Sequence, residues 1–219
     1  MWERPQDRPE QPFTEPNWGW VIWTRSGDKS SASPARATRF FLRRVAVKIE
    51  RSFIPLEIAV LTVSDTRDLE NDLSGQLLVS LIVESGHRIA ERRMTRDDRY
   101  SIRAILSEWI LREEIKVVIT TGGTGVTGRD GTPEACQPLF DKTLDGFGET
   151  FRMLSYEEIG SSTIQSRAIA GVANGTYIFC LPGSSGACRL AYESIIAPQI
   201  DFRTRPCNLA ELIPRLREC

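Results

Sequence analysis

Regular alternation of apolar and polar positions begins near Leu56. Residues 57 to 64, Glu-Ile-Ala-Val-Leu-Thr-Val-Ser, form a short apolar run ending in small polar residues, the pattern of a buried parallel strand. Ser74-Gly75 opens a helical segment with Leu77, Leu78, Leu81 and Ile82 on one face, closed by Gly86. Val79 and Val83 make the other side of residues 76 to 83 apolar too, which predicts cover on two sides, the second by another subunit. A strand is expected at about 88 to 94. The clearest helix runs from Tyr100 to Arg112, with Ile102, Ile105, Leu106, Trp109 and Ile110 at i, i+3, i+4, i+7 and i+8. Lys116 to Thr121 and Thr176 to Leu181 read as further buried strands, and Ala187, Leu190, Ala191 and Ile195 mark one side of a later helix. Strands alternating with helices predict an α/β fold: three layers, a mostly parallel sheet with helices on both faces, and a ligand at the carboxyl ends of the strands.

Composition divides the chain. Four of the 5 Trp (Trp2, Trp18, Trp20, Trp23) and five of the 12 Pro (Pro5, Pro9, Pro12, Pro16, Pro34) precede residue 35. Residues 1–50 therefore read as a poorly structured extension, and residues 51–219 as one domain, large enough to bury roughly 70% of its unfolded surface without disulfide or metal staples. The extension carries 9 basic and 6 acidic residues and the remainder 19 and 23, balances that suggest neither a nucleic-acid nor a membrane surface. No run approaches the roughly 20 apolar residues of a spanning helix, and no secretory signal pattern is present, so the expected location is the cytoplasm. The five cysteines show no C-x-x-C pairing, which argues against a disulfide framework or zinc knuckle. With His87 the single histidine, histidine triads and most catalytic zinc sites are disfavoured.

The richest segment is Thr120 to Ala135, Thr-Thr-Gly-Gly-Thr-Gly-Val-Thr-Gly-Arg-Asp-Gly-Thr-Pro-Glu-Ala. Gly123, Gly125 and Gly128 satisfy G-x-G-x-x-G, but the run follows the third strand. A helix start at Thr132 as cap, with Pro133 and Glu134, comes too late for a dinucleotide fingerprint. The glycines instead predict a backbone that approaches a ligand closely and turns N–H groups toward an anion, with Arg129 and Asp130 facing the same space. Leu181-Pro-Gly-Ser-Ser-Gly186 is a second strand-to-helix loop, either a phosphate site or a plain connector. Asp65, Asp97 and Asp130 follow different strands and converge at one sheet edge, where a Mg²⁺ ion bridging them to a phosphate ester would offset their repulsion. Asp72 and Asp98 read as helix caps, His87 as a surface residue at a helix end, Trp109 as core, and the Arg92, Arg93, Arg96, Arg99, Arg103 cluster as a solvated face.

Residues from about 53 to 219 resemble the molybdenum cofactor biosynthesis protein B (MoaB) family, within the wider MoaB/MogA molybdopterin-binding group. The carrying stretches are Ile58 to Asp65, Asp72-Leu-Ser-Gly75, Thr120 to Ala135, Gly146 to Ser155, Ser166-Arg167 and Leu181-Pro-Gly183. Glu157 to Gly160, Ala168 to Asn174 and Ala197 to Asn208 add resemblance to the B branch. The resemblance implies a molybdopterin-binding domain assembled as a trimer or hexamer. For its MogA-like members it implies adenylylation of molybdopterin with MgATP, releasing pyrophosphate before metal insertion. Carried over by motif, Asp130 and Asp97 take the catalytic and Mg²⁺-binding positions. Gly122, Gly123, Thr124, Gly125 and Asp65 would bind substrate, with Pro182, Gly183 and Ser184 across from them. Gly128 and Glu134 depart from MogA-like sequences, which often have a basic residue and Asp there.

Two further readings stay open: a molybdopterin carrier without turnover, with a downstream metal-insertion protein as candidate partner, and a nicotinamide oxidoreductase built on the glycine pattern. Because no Met occurs between Met1 and Met94, while Val45 and Val47 stand just before the family-like Phe53-Ile-Pro-Leu, native translation is expected to start near residue 45.

Overall fold

A computed structural model describes residues 51–218. The expected extension over residues 1–50 and the expected start near residue 45 lie outside the described residues. Six strands form one sheet: β1 (Glu57–Val63), β2 (Arg88–Thr95), β3 (Ile115–Thr121), β4 (Lys142–Thr143), β5 (Ile169–Ala173) and β6 (Thr176–Leu181). Their order is β2-β1-β3-β6-β5-β4. β1 pairs in parallel with β2 and β3, and β3 with β6, whereas β5 is antiparallel to both β4 and β6. Only β5 therefore runs against the others.

Side chains alternate across β1 and so build two cores. Ile58 and Val60 face α1 (Leu73–Glu84), α4 (Asp145–Ile159) and α5 (Ser185–Ala191), packing with Leu78, Ile82, Phe147, Phe151 and Cys188. Ala59, Leu61 and Val63 face α2 (Arg99–Ile110) and the short α3 (Thr132–Cys136), packing with Ile102, Leu106, Trp109 and Cys136. The three layers expected from the alternation are present. The carboxyl ends of the four parallel strands β2, β1, β3 and β6 lie side by side, so the loops after Val63, Thr95, Thr121 and Leu181 share one edge. No helix among the described residues is long and apolar enough to cross a membrane.

Several local features differ from the sequence reading. Strands β5 and β6 form a hairpin across Asn174-Gly175, whose φ angles of 47° and 81° both lie in the left-handed region. Helix α4 had no predicted counterpart: its buried positions Phe147, Phe151 and Ser155 do recur at i, i+4 and i+8, but Gly146 and Gly148 dilute the helical signal. Gly148 is needed there, since a Cβ would stand 2.6 Å from the Ala168 carbonyl oxygen. His87 is not a surface residue but 4% exposed, its ring against Phe53 and its Nδ1 accepting the Leu56 amide at 3.2 Å. Thr132 begins α3 but does not cap it. Its hydroxyl donates instead to the Gly122 carbonyl at 2.8 Å, tying the helix to the end of β3.

Candidate functional site

The loops following β3 and β6 are joined at their roots. Gly122 N–H donates to the Leu181 carbonyl at 3.0 Å, and the Thr121 hydroxyl donates to the Pro182 carbonyl at 3.0 Å. At Gly122 the φ of 101° and a would-be Cβ 2.1 Å from the Val63 carbonyl oxygen admit only glycine, and Gly183 packs on its Cα. These two loops form one side of a cleft of about 450 Å³ that Gly122, Gly123, Thr124, Gly125 and Asp130 line together with Pro182, Gly183 and Ser184. Phe151, Ser155 and Ile159 of α4, with Ser166, close the other side. A smaller recess of about 320 Å³, lined by Ser64, Thr66, Arg67 and Ser74, opens on the same Gly122, Gly183 and Ser184. Beneath the second loop lies Cys188, its sulfur 3.1 Å from the Thr121 hydroxyl. Burial pushes that thiol up to about 11, so it is protonated at neutral pH and packs as an apolar group.

Loop 122–131 is held from three directions. The Asp130 carboxylate folds back onto its own turn, Oδ2 accepting the Thr127 hydroxyl at 2.5 Å and the Thr127 amide at 2.8 Å, and these bonds hold it below the usual carboxylate range. Arg167 reaches under the loop: Nε donates to the Gly125 carbonyl at 2.6 Å, Nη2 to the Asp130 carbonyl at 3.0 Å, and Nη1 pairs with Glu134. On the far side Asp97 accepts the Gly131 amide at 3.1 Å. Burial, followed by the charges of Asp130 and Asp65, raises the Asp97 pKa against that hydrogen bond. Asp65 bridges two neighbours, accepting the Asp97 amide at 3.3 Å and Arg129 at 2.5 Å.

Eight of the ten site residues proposed from sequence line this cleft. Asp97 and Asp65 stand beside it, Asp97 behind Gly123 and Gly131, and Asp65 in an adjoining cleft of about 700 Å³ with Arg67 and Arg96. Asp65 and Asp97 touch through a backbone amide, but no group of three acidic, His or Cys side chains among the described residues is placed to hold a metal ion. Asp72 and Asp98 do cap helices α1 and α2. Asp72 does more, because its buried carboxylate also accepts the Thr62 hydroxyl at 2.6 Å and Arg92 at 2.8 Å. The arginine cluster is correspondingly less solvated than its sequence suggested. Arg93 forks onto Glu108 at 2.7 Å through both terminal nitrogens, and Arg103 donates to the Glu134 and Ala135 carbonyls. Sequence reasoning gave no role to Arg167. The only signal was its place in the Ser166-Arg167 stretch, since its partners, two backbone carbonyls and the Glu134 carboxylate, lie more than 30 residues away.

The family described as "Probable molybdopterin binding domain" matches residues 59–201, a span that contains every one of these residues. Molybdenum cofactor biosynthesis protein B of Escherichia coli (strain K12) is 55% identical over 161 residues, covering 74% of this chain and 95% of that protein. The chain belongs to this family. Among solved structures, a crystal structure of molybdenum cofactor biosynthesis protein B is similar with a TM-score of 0.70 and 41% identity, over 77% of this chain and 100% of that one. The tungsten cofactor synthesizing protein MoaB from Pyrococcus furiosus is similar with a TM-score of 0.62 and 34% identity, over 75% and 98% of the two chains.

Proposed function

We propose that this chain binds molybdopterin in the glycine-lined cleft and adenylylates it with MgATP, releasing pyrophosphate before metal insertion. The observation that carries this reading is the joining of two glycine loops into one cleft with the Asp130 carboxylate on its rim and Asp97 directly behind. The absence of side chains at Gly123 and Gly183 on the cleft lining suits a phosphorylated ligand, which main-chain N–H groups can then approach closely, whereas the Gly122 N–H is committed to joining the two loops. The apolar wall of Phe151 and Ile159 offers a surface for the flat pterin ring system. In the reaction, a terminal phosphate oxygen of molybdopterin forms a bond to the α-phosphorus of ATP. The α–β bridging P–O bond breaks, and its electrons leave with pyrophosphate. Positioning and electrostatics supply most of the catalysis in such transfers, so no side-chain nucleophile is required.

Mg²⁺ is usually held by one or two carboxylates together with substrate phosphates rather than by an all-protein cage. The donor set fits that mode: Asp97 gives one oxygen to Gly131 and keeps Oδ2, and Asp130 remains ionised through its bonds to Thr127. Bound there, the ion would offset negative charge on the phosphates. Purified protein with molybdopterin and MgATP is expected to yield adenylyl-molybdopterin, and Asp130→Asn to lower the rate by roughly 100-fold while molybdopterin still binds. Equal yields from wild type and variant would rule out the catalytic role of Asp130, and no product from either would leave a molybdopterin carrier.

A further inference from the structure

Arg167 and Asp97 grip opposite ends of a single peptide bond. The guanidinium Nη2 of Arg167 donates to the Asp130 carbonyl oxygen at 3.0 Å, and the N–H of Gly131, on the other side of that same peptide, donates to Asp97 Oδ1 at 3.1 Å. A trans peptide is planar, with its C=O and N–H pointing in opposite directions. The rotation of the Asp130–Gly131 unit is thus fixed at both edges, and each hydrogen bond polarises the peptide in the sense that strengthens the other. The other guanidinium nitrogens fix the orientation of the fork: Nε donates to the Gly125 carbonyl at 2.6 Å, and Nη1 pairs with Glu134. The Arg167 backbone N–H adds a bond to the Thr124 carbonyl at 3.2 Å.

From this arrangement we infer that Arg167 is a positioning residue that sets the Asp97 carboxylate through the Asp130–Gly131 peptide. Arg167 does not itself line the cleft. By holding the Asp130 carbonyl on one side of the loop, it turns the attached Gly131 N–H to the opposite side, where that N–H holds Asp97 with Oδ2 beside the cleft-lining Gly123. Both ends of the loop that carries Asp130 are thereby indexed to one side chain. Glu134 keeps the fork in place, and its own carboxyl is lowered by Arg167 against the upward push of burial. Lysine cannot reproduce this, since a single ammonium replaces a planar fork that serves three acceptors in fixed directions.

The catalytic part of this inference rests on the adenylyl-transfer reading, whereas the coupling itself does not. In Arg167→Lys, hydrogen exchange at the Gly131 amide is expected to accelerate roughly 10-fold, with exchange in β1 and β6 unchanged. The same variant should lower kcat for adenylyl transfer about 10-fold and leave the KM for molybdopterin within about 3-fold. Placed in an Asp97→Asn background it should cost less than about 2-fold more, because both substitutions break one chain of contacts. Unchanged Gly131 exchange, or kinetic effects that multiply, would overturn the inference. If wild type shows no adenylyl transfer, the functional reading fails and the Gly131 exchange alone decides the coupling. Should Arg167→Lys not fold, Glu134→Gln removes the countercharge of the fork, and it should accelerate Gly131 exchange in the same direction to a smaller extent. No acceleration there would likewise count against the coupling.

Discussion

His87 shows how one ring is assigned by its surroundings. Sequence placed it just past a helix end, where exposure is usual, but the chain returns into β2 immediately and carries the ring inward against Phe53. Its Nδ1 accepts the Leu56 amide, which requires a neutral ring with the proton on Nε2. Burial lowers its pKa below 6.5, with Asp201 opposing and Arg203 reinforcing the shift. Because the fold favours the neutral form, His87 contributes stability that is present above about pH 6.5 and is lost as pH falls from there toward the folded value. As the only histidine, it can be titrated by NMR without ambiguity, and a midpoint below 6.5 is expected. A midpoint at or above 6.5 would contradict the buried, neutral assignment. The same limit on reading sequence applies to Arg167, whose partners, two main-chain carbonyls and the Glu134 carboxylate, no local pattern specifies. The glycines of loop 122–131 were legible because their composition itself states the backbone requirement.

Among the elements, α1 is best explained by its start. Asp72 caps it through the Gly75 amide at 2.9 Å, as the sequence predicted, and the same carboxylate joins β1 through Thr62 and β2 through Arg92. Burial pushes this carboxyl up, yet Thr62, Arg92 and the Gly75 amide together hold it below its usual value of 3.8. Its stabilising contribution is therefore present at neutral pH and is lost as pH falls below about 3.8. Replacing Asp72 with Ala strands the partly buried Arg92 as well, so urea unfolding is expected to show a loss of about 3–5 kcal/mol. A loss under about 1 kcal/mol would mean that the cap alone matters. Most of the sheet was legible because buried strands announce themselves as apolar runs. The hairpin carried a readable signal in Asn174-Gly175, whereas in α4 the glycines dilute it, Gly148 being present for close packing against Ala168 rather than for helix formation.

At the scale of the molecule, the parallel strands place four loops along one edge, and nearly all of the candidate site follows from that topology. Of the two residues expected to make a second apolar side on α1, Val83 is 56% exposed whereas Val79 packs against the core, and at the start of the same helix Leu73 is 66% exposed. Apolar side chains this open suit a subunit contact. Light scattering at micromolar concentration is expected to give a multiple of the 24.7 kDa chain, with a trimer or hexamer as the proposed state, and a monomer would contradict it. Adenylyl transfer to molybdopterin is the proposed role of the joined glycine loops. Its most direct test is transfer of label from ATP carrying a radioactive α-phosphate to molybdopterin by the purified chain with Mg²⁺. The expected result is labelled adenylyl-molybdopterin, one pyrophosphate released for each, and loss of both in Asp130→Asn. Molybdopterin that binds the wild-type chain yet acquires no label would contradict it.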